Sequence, residues 1–140
     1  MERMEIPRTL AEWNERGRNY LPGHLDMEFL AVEPAEVRAR MPIDLRKCAW
    51  NGFLHAGAIV ALADTSCGYG TVRNLPEDAR GFTTIELKSN FLGTALEGDA
   101  VCIARLVHQG RTTQIWDAEV RSSQSGRTLA LFRCTQMILR

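Results

Sequence analysis

No run of apolar residues in this sequence approaches the roughly twenty needed to cross a bilayer. Its first residues, MERMEIPRTLAEW, also lack the apolar stretch of a targeting segment. Charge of one sign is missing as well, since 17 Lys and Arg offset 17 Asp and Glu over 140 residues and neither forms a long run. The basic footprint of a nucleic-acid binder is therefore absent, and any anionic ligand must be met by a few placed side chains. Cysteine is sparse and unpatterned: Cys48, Cys67, Cys102 and Cys134 form no CxxC, and His24, His55 and His108 are scattered. That excludes common zinc-site spacings and points to free thiols in a reducing compartment. Together these absences predict a soluble cytoplasmic protein with no metal, membrane or nucleic-acid partner. What is present is 45% hydrophobic content, enough for one domain over 1–140 with a real core.

Periodicity then orders the chain. TLAEWNERGRNYLPG begins with Thr9 and Glu12 in capping-box spacing and places Leu10, Trp13, Gly17, Tyr20 and Leu21 near one helical face. A helix is expected over about 9–21, ended by Pro22 and Gly23. DMEFLAV and AEVRARMPI alternate around the turn EPAE and read as a hairpin. From His55 to about 71 the apolar and small residues cover every side of a helical wheel, which predicts a buried central helix. Its one charge before the C-terminal turn is Asp64. Four strand-like runs follow, FTTIELKSNFL, AVCIARLVHQ, TQIWDAEVRS and TLALFRCTQMIL, joined by short turns. Short turns require antiparallel neighbours. The expected fold is α+β, an antiparallel sheet wrapped around a long central helix.

That order and the residues at its centre resemble the hotdog fold and, within it, the PaaI-type acyl-CoA thioesterases. Gly52-x-x-His55-Ala56-Gly57 followed by Asp64 is similar to the family motif G-x-x-H-G-G-x6-D in order and spacing. SNFLGTALEGD resembles the family's strand ending in N-F-L-x-P-A-x-x-G-D, and HQGRTTQIWDAEV its G-R turn and next strand. The resemblance covers nearly the whole chain from the first hairpin onward. Two departures stand out: Ala56 replaces a glycine, and Ala49 stands where the family often has an amide side chain, which leaves Asn51 as a nearby substitute.

The residue types fit the chemistry the resemblance implies, hydrolysis of an acyl-CoA to a carboxylic acid and free coenzyme A. A carboxylate such as Asp64 must attack the thioester carbonyl or take a proton from water, and partial burial raises its pKa toward a useful range. The helix start offers the backbone N–H groups of Ala56 and Gly57 to a developing oxyanion. About 12 Å of helix axis separates Ala56 from Asp64, too far for both to touch one carbonyl. The family resolves this by pairing one subunit's helix start with its partner's carboxylate, so a homodimer at least is implied, with a homotetramer as the larger assembly. His55 either orients the helix start or contacts the carbonyl. Thr84, or Thr83 if the alignment slips by one, matches a family segment carrying a hydroxyl near the attacking water. Arg111 matches the family position that meets coenzyme A phosphates, for which its planar fork is suited. Lys88 and Asn90 are candidates for the same groove. Trp50, Phe53 and Tyr69 are candidates to line an aromatic acyl pocket, whereas Cys67 and Trp116 read as packing. No cofactor is implied, coenzyme A being part of the substrate. The competing readings are a hydroxyacyl thioester dehydratase of the same fold and a non-catalytic acyl-CoA binding module.

Overall fold

In a computed structural model that describes all 140 residues, the chain forms one mixed layer pair, a sheet with a helix across one face. Two short helices come first, α1 (Leu10–Arg16) and α2 (Leu21–His24), then strands β1 (Glu28–Val32) and β2 (Glu36–Pro42). A 3-10 turn (Leu45–Lys47) leads to the long helix α3 (Ala56–Arg73), and β3 (Gly81–Phe91), β4 (Asp99–Gln109), β5 (Thr113–Ser122) and β6 (Thr128–Leu139) complete the chain. The six strands are ordered β1-β2-β4-β5-β6-β3, every pair antiparallel. No helix is long and apolar enough to cross a membrane.

The helix lies close to the sheet because the strand residues beneath it are small. Ala39, Ala100, Cys102, Ala104, Ala118, Ala130 and Cys134 alternate inward and are buried, facing Ala58, Leu62, Ala63 and Cys67 of α3. Trp116 and Cys67 are both fully buried, the packing roles expected of them. Trp116 fixes the approach at one point: a Cβ on Gly70 would stand 2.7 Å from Cζ2 and Cζ3 of its ring. Overpacking of this kind costs about 1–3 kcal/mol, against the roughly 1 kcal/mol that alanine gains over glycine within a helix. Gly70→Ala is therefore expected to lower the denaturant midpoint. Gly68→Ala, whose new methyl meets only the Phe82 ring edge at 3.3 Å, should leave it unchanged or raise it.

The N-terminal expectation needs correction. The helix over 9–21 breaks into two, because Gly17 caps α1 and Pro22, rather than ending a helix, occupies the first turn of α2, where its missing N–H has no helical partner to lose. Trp13 alone of the anticipated face is a buried hydrophobe, while Leu10, Tyr20 and Leu21 are exposed. Thr9 does cap α1 as its spacing predicted, accepting from Glu12 N. The central helix runs to Arg73 with His55 as its cap.

One edge of the sheet is long and carries exposed apolar side chains among polar ones. β3 pairs only with β6, and Ile85, Leu87 and Phe91 along it are 53%, 43% and 46% exposed. Such an edge presents unpaired N–H and C=O groups to any other strand.

Candidate active site

The segment before α3 is a small hairpin that fixes the helix start. Asp44 accepts from Arg46 N, opening the 3-10 turn, and Cys48 bridges Leu54. Between them Ala49 N donates to Phe53 O at 2.7 Å and Gly52 N to Ala49 O at 2.8 Å, with Gly52 in the left-handed region at φ +91, where glycine carries no Cβ penalty. Asn51 Oδ1 accepts from Phe53 N, so its oxygen is committed to this turn. Leu54 N donates to Thr94 Oγ1, just beyond the end of β3, and His55 N donates to Lys47 O.

His55 is the N-cap. Its Nδ1 accepts from Gly57 N at 2.7 Å, which requires that nitrogen to be unprotonated. Its carbonyl accepts from Ala58 N and Ile59 N. The expectation of two free amides is thereby corrected: the Gly57 N–H is consumed by the imidazole, and the Ala56 N–H is left without a partner in the chain. Glycine at 57 is required by the same ring, since a Cβ would sit 2.9 Å from His55 Nδ1.

Asp64 lies further along α3, half-buried, and its Oδ1 is buried with no hydrogen-bond partner. Burial pushes its pKa above the ordinary aspartate value. Elsewhere the fold moves carboxylates the other way: neighbouring cations hold Asp26, Glu36, Asp44, Asp78 and Glu119 below their usual range. Asp64 is thus set apart by the absence of a cation and of any donor.

β3 sorts the remaining candidates by face. A bulge between Thr84 and Glu86 shifts the register, so Thr84 lies across from Gln136, Leu87 from Cys134 and Ser89 from Phe132, all on the face toward α3. Thr84 Oγ1 donates to Gln136 Oε1 at 2.6 Å. Lys88 and Asn90 lie across from Arg133 and Leu131 on the opposite face, in a depression of about 540 Å³ shared with Arg105 and Asp117. The bulge puts Lys88 and Asn90 on the face of β3 away from Thr84, Leu87 and Ser89. Thr83, across from Met137, is on the outer face too.

Arg111 sits in the β4–β5 turn. Gln109 and Gln114, flanking that turn, donate to Asn74 O beyond the C-terminal end of α3, so within one chain Arg111 lies at the opposite end of the helix from Ala56. Of the aromatic candidates, Tyr69 belongs to the core, its ring 4.2 Å from Phe29 and 5.2 Å from Trp13 between centroids. Trp50 and Phe53 are exposed on the hairpin, 104% and 55%.

Two polar residues on the helix side of the sheet escape a reading by composition. Ser89 Oγ and Gln136 Nε2 are buried without partners. Gln136 was detectable by period two, since it alternates inward with Phe132, Cys134 and Ile138. Ser89 was hidden by the bulge.

Comparison with known proteins relates the chain as a whole to others. The model of the thioesterase superfamily matches residues 51–129, from the hairpin through β6's first residues. The 1,4-dihydroxy-2-naphthoyl-CoA hydrolase of Escherichia coli is 30% identical over 131 residues, 94% of this chain and 95% of that protein. The crystal structure of a mutant thioesterase PA1618 from Pseudomonas aeruginosa superimposes with TM-score 0.89 at 27% identity, covering 99% of each chain. The PaaI protein of Escherichia coli shares the fold, with TM-score 0.80 at 20% identity over 94% of this chain and 91% of that one.

Proposed function

From the premise that this chain belongs to the thioesterase superfamily and hydrolyses acyl-CoA thioesters, we propose that each active site is built by two copies of it. One copy supplies Asp64 and the other the Ala56 N–H. The observation that carries this reading is a pair of unpaired groups on one rigid helix, the Ala56 amide and Asp64 Oδ1, about 12 Å apart along its axis. No single carbonyl reaches both within one chain.

The exposed edge of β3 supports a way to bring them together. α3 and β3 run in opposite directions: Leu54, just before α3, is tied to Thr94, just after β3, while Gly68 faces Phe82 at the strand's start. Antiparallel pairing of two β3 edges about a twofold axis then sets the helix start of one copy beside the early half of β3 and the middle of α3 in the other. Those regions hold Thr84 and Asp64. The arrangement also covers Ile85, Leu87 and Phe91, and brings Arg111 of one copy toward Ala56 of the partner subunit.

In this geometry the thioester oxygen accepts from the Ala56 N–H, which strengthens its hold as negative charge develops. Asp64 either takes a proton from water as the water adds to the carbonyl carbon, or adds to that carbon itself and is released by water afterwards. In both cases the carbon–sulfur bond breaks and the coenzyme A sulfur leaves with a proton. Thr84 has given its own hydrogen to Gln136, so toward the attacking water it is an acceptor and helps orient it. Arg111 is suited to the coenzyme A phosphates. Trp50 and Phe53, exposed on the hairpin that leads into Ala56, offer aromatic surface to an acyl group like that named for the Escherichia coli relative.

The test is thiol release from short, long and aromatic acyl-CoAs together with a measurement of assembly. Ile85→Asp combined with Leu87→Asp sets like charges against one another across the proposed axis. The variant is expected to sediment as a monomer and to lose turnover on every substrate. A fully active monomer would overturn the shared site.

A further inference from the structure

Lys47 is the most buried charge in the molecule, its side chain 0% exposed. Its Nζ donates to Asp26 Oδ2 and Asp44 Oδ2, both at 2.7 Å. Arg46 also donates to Asp26, at 2.9 Å. Asp26, between α2 and β1, adopts φ +55, a left-handed backbone that aspartate tolerates better than most residues. Lys47 holds both Asp26 and Asp44 below the usual carboxylate range. Removing a cation from water is unfavourable, and replacing a buried ion pair with apolar side chains of similar volume is often neutral or stabilising. Stability alone therefore does not account for the cluster.

Its main-chain connections suggest what it does. Lys47 N donates to Asp44 O, and Lys47 O accepts the His55 N–H at 2.9 Å. His55 in turn caps α3 through Gly57, and Ala56 follows it directly. The Lys47 ammonium is thus two links from the one unpaired amide of the helix start: ammonium to Lys47 backbone, and Lys47 backbone to His55.

We infer that Lys47 is a positioning residue for the reaction. Clamped by Asp26 and Asp44, it holds the hairpin carrying His55 so that the Ala56 N–H meets the substrate oxygen at hydrogen-bonding distance. This rests on the reading in which that amide binds the thioester carbonyl. Misplacement of a reacting group by about 1 Å costs on the order of a hundredfold in rate, so a small drift of the hairpin matters even where the fold survives.

Lys47→Met keeps the stem and removes the charge. The variant is expected to lose about ten- to a hundredfold in kcat with KM within about threefold. The acidic limb of its pH–rate profile should stay in place, because Asp64 is on another part of the helix. Amide exchange supplies a readout independent of catalysis. The His55 N–H should exchange at least about tenfold faster in the variant while amides of β5 keep their rates, a local release rather than global unfolding. Should Lys47→Met fail to fold, Asp26→Asn and Asp44→Asn each remove one partner and are read the same way. Unchanged kcat and unchanged His55 exchange in the folded variant, or in both asparagine variants, would overturn the inference. Loss of kcat that merely tracks global stability, with β5 exchange rising in step, would overturn it too. Absence of thiol release by the wild-type chain would instead sink the reading of the Ala56 amide, and the exchange comparison would still decide whether Lys47 holds His55.

Discussion

Asp64→Asn is expected to lower thiol release from acyl-CoA by about 10²- to 10⁴-fold, the range over which a positioned acid–base group acts, while the protein stays folded and assembled. The substitution keeps the shape and removes the charge. The same change should raise thermal stability at neutral pH. Burial raises the Asp64 pKa in the folded chain, so between the unfolded value near 3.8 and the raised folded one the native state binds more protons than the unfolded state. Stability then falls as pH rises through that window. Above that window the charged carboxylate, one of whose oxygens is buried and unpartnered, carries a desolvation cost that the neutral asparagine lowers. Activity has the opposite sign, because the base or nucleophile must be ionised: the rate should fall on acidification at a pH above the ordinary aspartate value. Thiol release against pH and a melting series on wild type and variant check both. A variant as active as wild type would remove Asp64 from the chemistry, whatever its effect on stability.

Ala56→Pro is the matching change at the electrophilic end. Proline suits the first residue of a helix, where no helical hydrogen bond is lost, and His55 before it already has the extended backbone that proline demands, φ −65 and ψ 131. The substitution therefore deletes the unpaired N–H and little else. A loss of about 10²- to 10³-fold in kcat is expected, the usual size for one oxyanion donor. Mixing then distinguishes a shared site from one within a chain. When Ala56→Pro and Asp64→Asn chains are unfolded together and refolded, half of randomly formed dimers are mixed, and each holds one site with both groups intact. About a quarter of wild-type activity should return. If no activity returns while mixed dimers are detected by mass, the two groups act within one chain and the twofold arrangement fails.

Much of this was readable in the order of residues. A helix apolar on all sides must be buried, and runs joined by short turns must be antiparallel, so helix, hairpin, central helix and four strands followed from period alone. Asp64 stood out because it is the lone charge in that buried run. The N-terminal helix was misread because propensity and capping at Thr9 are local, whereas the break at Gly17 reflects its packing. A Cβ there would stand 2.7 Å from Tyr69 Oη and 3.0 Å from Pro22 Cβ. Simple alternation along β3 would put Lys88 and Asn90 on the same face as Thr84. One extra residue at the bulge turned them to the other face.

The sequence by itself determined the architecture, the family and the place of a lone acidic residue in the central helix, because hydrophobic period and motif spacing are properties of neighbouring residues. Only the tertiary structure decided which amide of the helix start is free, since that depends on where the His55 ring turns. Only it showed that Lys47 is buried between two aspartates from separate loops, and that β3 lies at an open edge. Hydrogen-bond competition, burial of a charge and strand order are set by groups distant in the chain, and local pattern carries no record of them.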